Sequence, residues 1–497
     1  MSGGEAIQTV DVLILGAGMS GLCMGIALKR ARRDSFVILE RSEGLGGTWW
    51  DNRYPGAHVD VPAPLYCFSF EPNPRWKQRF AAAPEIQAYM RHCAAKYGLQ
   101  PHLNFGEAVT SARFDEADGR WLIDTSKGRR LAARHFVCST GPLSRLRWPA
   151  IEGLERLAGP RLHSARWDAT VPLAGQRIGV IGTGSTAAQL VPPLVRLAAR
   201  LHLFQRTANW VLPRLDRPYN GLDRLLAQLP PYTAAVRGFW HWALELGRRG
   251  FDDGTFMRRT MLRQAEGHLR RGVRHNEALR AKLRPTYPLG CKRIIYSNDY
   301  HPALAEPHVE VVTEGIERVT ERGIVTVDGR EHDLDVLVCA TGFDVEHAIT
   351  VPITGRGGLT LQQAWRDGPQ AQLGLTVAGF PNFWLMLGPN TATGHTSTLL
   401  FIEPGVRWVL RAMQEVERRS ARFIDLKPAA MQQFNEGLKA RLAHSVWSQC
   451  RSWYRAESGR NIALWPGFTR EYRRAVHHQS FADFEFGRTP PEPRPVA

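Results

Sequence analysis

Residues 10–28 read VDVLILGAGMSGLCMGIAL, and this stretch decides how the first part of the chain folds. Its first six residues are typical of a buried strand, and clustered glycines follow directly, so the pattern predicts a strand, a tight turn and a helix. The stretch is long enough to span a bilayer. Because its glycines cluster and its first part favours a strand, we predict no transmembrane segment.

The spacing Gly16-x-Gly18-x-x-Gly21 is the phosphate-binding pattern of dinucleotide-binding domains. Gly16 permits the tight turn, Gly18 lets the backbone approach a pyrophosphate, and Gly21 lets the helix pack on the strand. Glu40 ends the next predicted strand, SFVILE, where a carboxylate accepts hydrogen bonds from a ribose diol. The unit therefore predicts a dinucleotide bound at the helix N-terminus.

A second unit of the same kind spans residues 177–206, with the turn Gly182-x-Gly184-x-x-Ala187. Its second strand ends without an acid, in Gln205-Arg206-Thr207, and an arginine there favours a 2′-phosphate. This domain is therefore predicted to bind NADPH, which leaves the first domain for FAD. Two such dinucleotides in one chain imply that electrons pass from nicotinamide to flavin.

The predicted fold class is α/β, with two Rossmann-like dinucleotide-binding domains and an inserted helical lobe. Residues 220–285 have helical periodicity, and strand-like segments follow between 308 and 344. The predicted boundaries are FAD domain 1–145 and 341–485, NADPH domain 150–213 and 288–340, helical insertion 214–287, and a loose proline-rich tail 486–497.

The chain is basic, with 64 Lys and Arg against 47 Asp and Glu and a net charge of +17. Such a bias fits nucleic acid, an anionic membrane surface, anionic cofactors or an ordinary solvated surface. No nucleic-acid motif accompanies it, so no nucleic-acid partner is predicted. The arginines and aromatics of the insertion are typical of a membrane-surface helix but more often of a helix covering a domain, so membrane contact is judged unlikely.

The seven cysteines are scattered, with no C-x-x-C pair. This argues against a disulfide framework, a redox-active disulfide and a metal site, and no metal is predicted. The start, MSGGEAIQTVD, lacks the features of a signal peptide. We therefore predict a cytoplasmic protein.

A reduced flavin passes electrons to a disulfide, to another protein or to oxygen. Because no cysteine pair is evident, a disulfide reductase is disfavoured and oxygen is the expected acceptor.

Residues 157–168 carry Leu157-x-Gly159-x-x-x-His163-x-x-x-Trp167-Asp168. This segment resembles the F-x-G-x-x-x-H-x-x-x-W-[P/D] fingerprint of type I Baeyer–Villiger monooxygenases, which are class B flavoprotein monooxygenases. The resemblance extends over nearly the whole chain, through GGTWWDNRYPG at 46–56, the STG and ATG segments at 139–141 and 340–342, GCKRIIYSNDYHPAL at 290–304 and CRSWY at 450–454. Leu157 replaces the fingerprint's Phe, and Asp51 stands where many members have an aromatic residue.

The resemblance implies that Asp60 and Arg293 are the catalytic pair, meeting over the flavin. A C4a-peroxyflavin must stay deprotonated to attack a ketone, and a guanidinium holds that anion. Asp60 would position Arg293 and balance its charge. An alternative is that Asp60 is a strand-end acid bonded to backbone. The fingerprint His163 is expected to couple domain motion to cofactor position.

Further cofactor contacts are implied by the same resemblance. Lys292 would reach the 2′-phosphate together with Arg206 and Thr207, and Trp453 would contact the nicotinamide nucleotide. The remaining expected contacts to the two dinucleotides are Ser20, Arg41, Gly47, Thr48, Trp49, Tyr66, Val109, Thr183, Ser185, Thr186 and Gln189. His395 is either a flavin contact or a structural residue at a helix start.

The expected reaction is NADPH- and O₂-dependent insertion of one oxygen next to a ketone carbonyl, giving an ester or lactone. The main alternative is oxidation of sulfides or amines through a protonated hydroperoxide, which does not need the Asp60–Arg293 pair. An ornithine or lysine N-hydroxylase would need acidic pocket residues, and a non-enzymatic redox sensor would leave the pair unexplained. The substrate is expected to be hydrophobic, and the protein a monomer or weak homodimer.

Overall fold

A computed structural model of the protein describes residues 7–487. The N-terminal part alternates strands and helices as the first glycine motif predicts. Its elements are β1 (Gln8–Leu15), α1 (Met19–Arg30), β2 (Phe36–Leu39), α2 (Thr48–Asp51), α3 (Ala83–Lys96), β3 (Leu103–Asn104), β4 (Val109–Asp115), β5 (Arg120–Thr125) and β6 (Arg130–Cys138).

The second glycine motif also lies between a strand and a helix. Its elements are β7 (Arg161–His163), β8 (Arg177–Ile181), α4 (Ser185–Val195), β9 (Arg200–Phe204) and β10 (Val211–Leu212). The helical insertion then follows as α5 (Gly221–Leu226), α6 (Pro230–Gly247), α7 (Phe256–Gly272) and α8 (Glu277–Lys282). The chain returns through β11 (Ile295–Tyr296), α9 (Tyr300–Leu304), β12 (Val309–Val312), β13 (Ile316–Val319), β14 (Gly323–Thr326), β15 (Glu331–Asp333) and β16 (Val336–Cys339).

The C-terminal part completes the first sheet and adds helices. Its elements are β17 (Ile353–Thr354), α10 (Leu361–Ala364), β18 (Phe383–Leu385), α11 (Leu399–Arg418), β19 (Phe423–Leu426), α12 (Pro428–Ala443), α13 (Thr469–His477) and β20 (Phe484–Gly487).

Two separate sheets carry the two glycine turns. The first has the order β17-β4-β5-β6-β1-β2-β3, with β18 also paired to β6, and the second has the order β12-β9-β8-β16-β7. β1 runs parallel to β2 and β6, and β8 runs parallel to β9 and β16. Each glycine turn therefore lies at the carboxyl end of a central strand, where α/β sheets bind ligands. The predicted fold class is confirmed.

Two chain segments connect the sheets and bond to each other. The segment after β6 passes Ser139, and the segment after β16 passes Gly342. The backbone N–H of Arg147 donates to the carbonyl of Gly342 at 3.0 Å, and Leu146 bridges Phe343. Because they are paired, these connections form one narrow junction between the two sheets.

Two sequence-based predictions need correction. The predicted loose tail began at 486, but residues 486 and 487 belong to β20, which pairs with β19; residues 488–497 lie outside the described residues. The structure also joins Cys291 and Cys450 in a disulfide across 159 residues. The pair was missed because only the fold brings these two distant segments together.

No helix within residues 7–487 is both long and apolar enough to cross a bilayer. Residues 10–28, which are long enough to span a bilayer, divide into β1 and α1 around the glycine turn.

Substituting Gly21 tests the packing of α1 on β1. A Cβ at Gly21 would lie 1.9 Å from the carbonyl oxygen of Gly16. We expect Gly21→Ala to force α1 away from the turn, destabilising it by about 1–3 kcal/mol and lowering the FAD content of the purified protein. Flavin absorbance per chain and Tm measure both effects.

Gly437→Ala is the matched control, because Gly437 also lies in a helix and its added Cβ would meet nothing within 4 Å. Normal flavin content in Gly21→Ala would contradict the packing argument.

Candidate active site

The N-terminus of α1 is open to an anion. Gly18 is its N-cap residue, no side chain caps the helix, and no acid lies in its first turn, which contains Ser20. Gly16 has a φ of +104°, and a Cβ there would lie 2.8 Å from the carbonyl oxygen of Ser139. Free N–H groups and the helix dipole favour phosphate at such an end. These residues therefore fit a pyrophosphate.

Glu40 braces the same turn. Its carboxylate accepts hydrogen bonds from the backbone N–H groups of Ala17 at 2.8 Å and Ser42 at 2.9 Å. A carboxylate has about four acceptor sites, so Glu40 retains capacity for the predicted ribose diol. Arg41, also predicted as a cofactor contact, donates to the carbonyl of Ser144 at 2.8 Å.

The GGTWW segment lies against the first glycine turn. Gly47 has a φ of +53°, begins α2 just before Thr48, and would place a Cβ 3.0 Å from the Cα of Gly18. The Trp49 indole N–H donates to the Tyr66 hydroxyl at 3.0 Å. Val109 opens β4 as a buried core residue. The GGTWW segment and the first glycine turn are therefore in contact, so one bound cofactor can touch both of them.

The second glycine turn repeats the open helix end. Gly182 has a φ of +116°, and Gly184 caps α4 with no side-chain cap and no acid in the first turn, which begins with Ser185 and Thr186. The Thr183 hydroxyl donates to the carbonyl of Thr207 at 2.8 Å. This bond places the end of β9 beside the turn, as expected for a dinucleotide with its ribose at that strand end.

Two cations face the end of β9. Burial lowers the pKa of Lys292, and the positive charge of Arg206 lowers it further. Among residues 7–487 neither side chain has a carboxylate within ion-pair distance. Adjacent unneutralised cations are favourable for a phosphate dianion and unfavourable without one. Their placement fits the predicted 2′-phosphate site.

Gln189 was predicted as a cofactor contact, but its side chain is occupied within the protein. Its carbonyl oxygen accepts from the Tyr54 hydroxyl at 2.8 Å, and its amide donates to the carbonyl of His58 at 3.0 Å. Gln189 lies on α4, so it holds the 54–58 turn against the second sheet. Its side chain therefore positions the segment that leads into Asp60, and its contact with the cofactor stays a prediction.

Asp60 and Arg293 form an ion pair. One Asp60 oxygen accepts from Arg293 Nε at 2.7 Å and lies 2.6 Å from Nη2, while Nη1 donates to the carbonyl of Thr393 at 3.2 Å. Burial disfavours the charged guanidinium, but the charge of Asp60 outweighs it, so the pKa of Arg293 is raised. Arg293 is therefore cationic at any working pH.

Three tyrosines surround this pair, two of which sequence reasoning missed. Tyr66, Tyr296 and Tyr454 are electrostatically coupled to Asp60 and Arg293, and burial raises the pKa of each to about 12. They stay neutral and reduce the water around the charges. Tyr454 follows Trp453 in the CRSWY segment, so this motif could have indicated Tyr454 from the sequence. Trp453 itself is 39% exposed, and its ring lies 4.4 Å from that of Tyr454 at an angle of 53°.

The fingerprint segment lies at the junction between the sheets. A Cβ on Gly159 would lie 2.0 Å from the carbonyl oxygen of Asp335. His163 is buried at the end of β7, with Trp148 and Phe343 beside its ring. Burial lowers the pKa of His163. A neutral imidazole packed against a connecting segment suits the expected coupling role.

The rest of the fingerprint is structural in this fold. Trp167 packs on the core, and Asp168 accepts from the backbone N–H of Thr170 at 2.9 Å in a local turn. Arg166, between them and His163, donates to Asp51 at 2.9 Å. The unusual Asp51 therefore ties the GGTWW segment to the fingerprint.

His395 is engaged by protein groups. Its Nε2 lies 3.2 Å from Glu245 of α6, and its Nδ1 lies 3.1 Å from the Thr393 hydroxyl. Glu245 also accepts from the Thr469 backbone N–H at 3.0 Å. The structural alternative for His395 is therefore favoured. Glu245, which no sequence motif marked, links the insertion, the 388–400 turn and the C-terminal segment.

A cavity of 900 Å³ lies beside these elements. Its walls come from the 64–79 segment, α6, the start of α11 and α13, with Leu65, Trp76, Trp240 and Leu400 among its apolar lining residues. The cavity is also lined by Arg79, Arg217, Arg224, Arg237, Arg407 and Arg473, so a bound small molecule would meet positive charge beside the apolar walls.

Outside the site, His202, Glu310 and His332 come within metal-binding distance of one another. The Glu310 carboxylate, however, is paired with Arg200 at 3.2 Å and Arg330 at 3.0 Å. The cluster is therefore explained as a neutralised ion-pair network.

Solved structures of flavoprotein monooxygenases share this fold. An oxidized steroid monooxygenase bound to NADP matches with a TM-score of 0.87 at 31% identity, covering 97% of this chain and 100% of that one. Cyclohexanone monooxygenase from Rhodococcus sp. Phi1 bound to NADP⁺ matches with a TM-score of 0.87 at 29% identity and the same coverage. Fold and site together define a flavin- and NADPH-dependent monooxygenase.

Two bacterial relatives are similar over nearly the whole chain. A Baeyer–Villiger monooxygenase of Streptomyces coelicolor is 41% identical, covering 97% of this chain and 94% of the relative. One of Pseudomonas aeruginosa is 39% identical, covering 98% and 93%. The chain belongs to the Baeyer–Villiger monooxygenases. Residues 13–219 also match the family described as pyridine nucleotide-disulphide oxidoreductase, which spans the two glycine turns.

Removing Lys292 tests the phosphate site. We expect Lys292→Ala to raise KM for NADPH about ten- to hundredfold, because one charge-assisted hydrogen bond of about 1.5–3 kcal/mol is lost. KM for NADH should change little, since that cofactor lacks the 2′-phosphate. Steady-state kinetics with both cofactors measure the ratio.

Lys439→Ala controls for loss of one positive charge, because Lys439 is exposed on α12. An equal increase of KM for both cofactors in Lys292→Ala would refute a phosphate-specific role.

The pH dependence of stability tests Glu245. Burial alone would raise its pKa, but hydrogen bonds from His395 and Thr469 outweigh it and lower the pKa to about 2. Glu245 therefore contributes stability above its unfolded pKa of about 4.5, and that contribution is lost as the pH falls toward 2. Burial lowers the pKa of His395, which also makes acid destabilising below about pH 6.5.

We expect Glu245→Gln to be less stable than the wild type by about 3 kcal/mol at neutral pH, with Tm falling less steeply below pH 5. Glu436→Gln, at an exposed position of α12, is the control. Parallel Tm profiles of Glu245→Gln and the wild type would show that the charge of Glu245 adds nothing to stability.

Proposed function

We propose that this protein inserts one oxygen atom next to the carbonyl of apolar ketones, forming esters or lactones. The observation that carries the proposal is the ion pair of Asp60 and Arg293, held between the segments that bear the two glycine turns. It supports ketone chemistry because a permanently charged guanidinium stabilises an anionic oxygen nucleophile and the oxyanion that follows.

When both cofactors are bound, FAD reduced by NADPH supplies the activation of O₂. Gly16, Gly18 and Glu40 would hold FAD, and Gly184 and Lys292 would hold NADPH. Arg293 would keep positive charge at the reacting oxygen, while Asp60 and the carbonyl of Thr393 fix the direction of its guanidinium. The buried tyrosines would limit water near that charge.

The cavity beside α6 is the proposed ketone site. The apolar part of its lining would contact a hydrophobic substrate. Leu65 and Cys67 in its wall flank Tyr66, which is electrostatically coupled to the ion pair. Oxidation of sulfides or amines needs a protonated hydroperoxide, so it leaves the Arg293 charge without a role. We further propose a cytoplasmic protein that is a monomer or weak homodimer.

Replacing Arg293 tests this reaction directly. We expect Arg293→Ala to lose ester or lactone formation about a hundred- to thousandfold, because the oxyanion loses its charged donor. FAD should still be bound and reduced by NADPH. Product analysis with a panel of cyclic and linear ketones, together with the flavin spectrum, measures both steps.

Arg293→Lys is the informative companion, because it keeps the charge but loses the forked geometry toward Asp60. Sulfide oxidation without ester formation in the wild type, together with indifference to both substitutions, would assign the protein to the soft-nucleophile monooxygenases instead.

A further inference from the structure

Helix α6 has its polar side inside and its apolar side outside. Its ionisable residues Arg237, His241 and Glu245 are spaced four apart and face the protein. Arg237 donates to the carbonyls of Pro64 and Cys67, and Glu245 binds His395 and Thr469. The usual arrangement of a surface helix is the reverse. Arg237 and Glu245 therefore anchor the inner face of α6 to the protein through polar contacts.

The exposed face of α6 carries no charge. Its residues recur at spacings of three and four and therefore lie on one side of the helix. They are Ala234, Ala235, Phe239, Trp242, Ala243 and Leu246. With two bulky aromatic rings in solvent, this face is a candidate contact surface.

The neighbouring helices extend the same property. Leu222, Leu225 and Leu229 are exposed along and just after α5, and Phe256 at the start of α7 is 79% exposed. Thirteen large hydrophobic side chains are exposed among residues 7–487, and seven of them lie between 222 and 256. More than half of the exposed large hydrophobic side chains thus belong to one insertion, which favours a contact patch over scattered surface residues. We call it the α5–α7 surface.

Positive charge accompanies this surface. The insertion, residues 214–287, contains fifteen Arg and Lys against seven Asp and Glu, about half of the chain's net charge of +17. Within the described part of the chain, four exposed arginines beside the surface have no carboxylate partner: Arg224, Arg249, Arg259 and Arg263. The nearby Asp252 and Asp253 are already paired, with Arg248 and Arg258. The unneutralised charge is therefore positive.

We propose that the α5–α7 surface docks on an anionic phospholipid bilayer. Leucine and aromatic side chains would enter the boundary between headgroups and acyl chains, and the free arginines would meet lipid phosphates. This differs from the expectation from the sequence, because helical periodicity does not tell which side of α6 faces the protein. A second copy of the chain is a poorer occupant, since a symmetric contact would bring two strongly basic insertions together.

Docking has a consequence for catalysis that rests on the proposed function. The cavity adjoins this face of α6, because Ala234 and Phe239 of the face line it together with Trp240 and Arg237. An apolar ketone concentrated in a bilayer would then be close to the site that consumes it. Binding to lipid does not itself depend on the identity of the substrate.

The test is sedimentation of the FAD-loaded protein with vesicles of phosphatidylcholine, with and without phosphatidylglycerol, at low and high salt. We expect binding only when phosphatidylglycerol is present, and weaker binding at high salt. The double variant Trp242→Ser, Leu246→Ser, which changes two exposed residues outside the cavity wall, should bind about tenfold more weakly, as should Arg259→Glu, Arg263→Glu.

The controls are Val327→Ser and Arg91→Glu, which change exposed residues outside the insertion and should bind like the wild type. NADPH oxidation by all variants in lipid-free buffer should be unchanged, which separates this test from failure of the proposed function. The proposal is overturned if phosphatidylglycerol vesicles do not bind the wild type, or if the insertion variants bind as it does. Lipid-independent dimerisation lost in Trp242→Ser, Leu246→Ser, without vesicle binding, would instead make this surface a subunit interface.

Discussion

The ion pair of Asp60 and Arg293 constrains the whole molecule, because its partners are 233 residues apart in the chain. Two half-buried charges are stable together only if their geometry is held firmly, since either one left alone would be costly. Gln189 holds the turn before Asp60, and the carbonyl of Thr393 fixes the far end of the guanidinium. Gln189 and Thr393 belong to different parts of the fold. The ion pair therefore forms only when both parts are folded.

The junction between the two sheets explains where the fingerprint acts. His163 packs against Phe343 on one connecting segment and Trp148 beside the other, and Arg166 reaches Asp51 next to the first glycine turn. None of these contacts touches the ion pair. They connect the two dinucleotide-binding units instead. We therefore expect a substitution in the fingerprint to alter the distance between the two cofactor sites. This agrees with a role in domain motion, not in bond making.

The helical insertion combines two demands on one helix. The inner side of α6 anchors the catalytic surroundings through Glu245 and His395, and that anchoring places its charged residues inside. The apolar residues Phe239 and Trp242 are then left in solvent. Because the polar side of α6 contacts the protein, only its apolar side is available to a partner. The neighbouring arginines favour a partner with negative charge.

Local patterns in the sequence determined the two strand–turn–helix units and the helices of the insertion, because each of these elements depends on residues within about thirty positions. The contact of Arg206 with NADPH stays a prediction from the same kind of pattern. The resemblance to a family added Asp60 and Arg293. Only the tertiary structure decided the partners of Glu245, the use of Gln189, the Cys291–Cys450 disulfide and the direction in which α6 faces. Periodicity shows that a helix has two sides, but which side meets the protein depends on contacts between segments far apart in the chain, and no local pattern encodes those contacts.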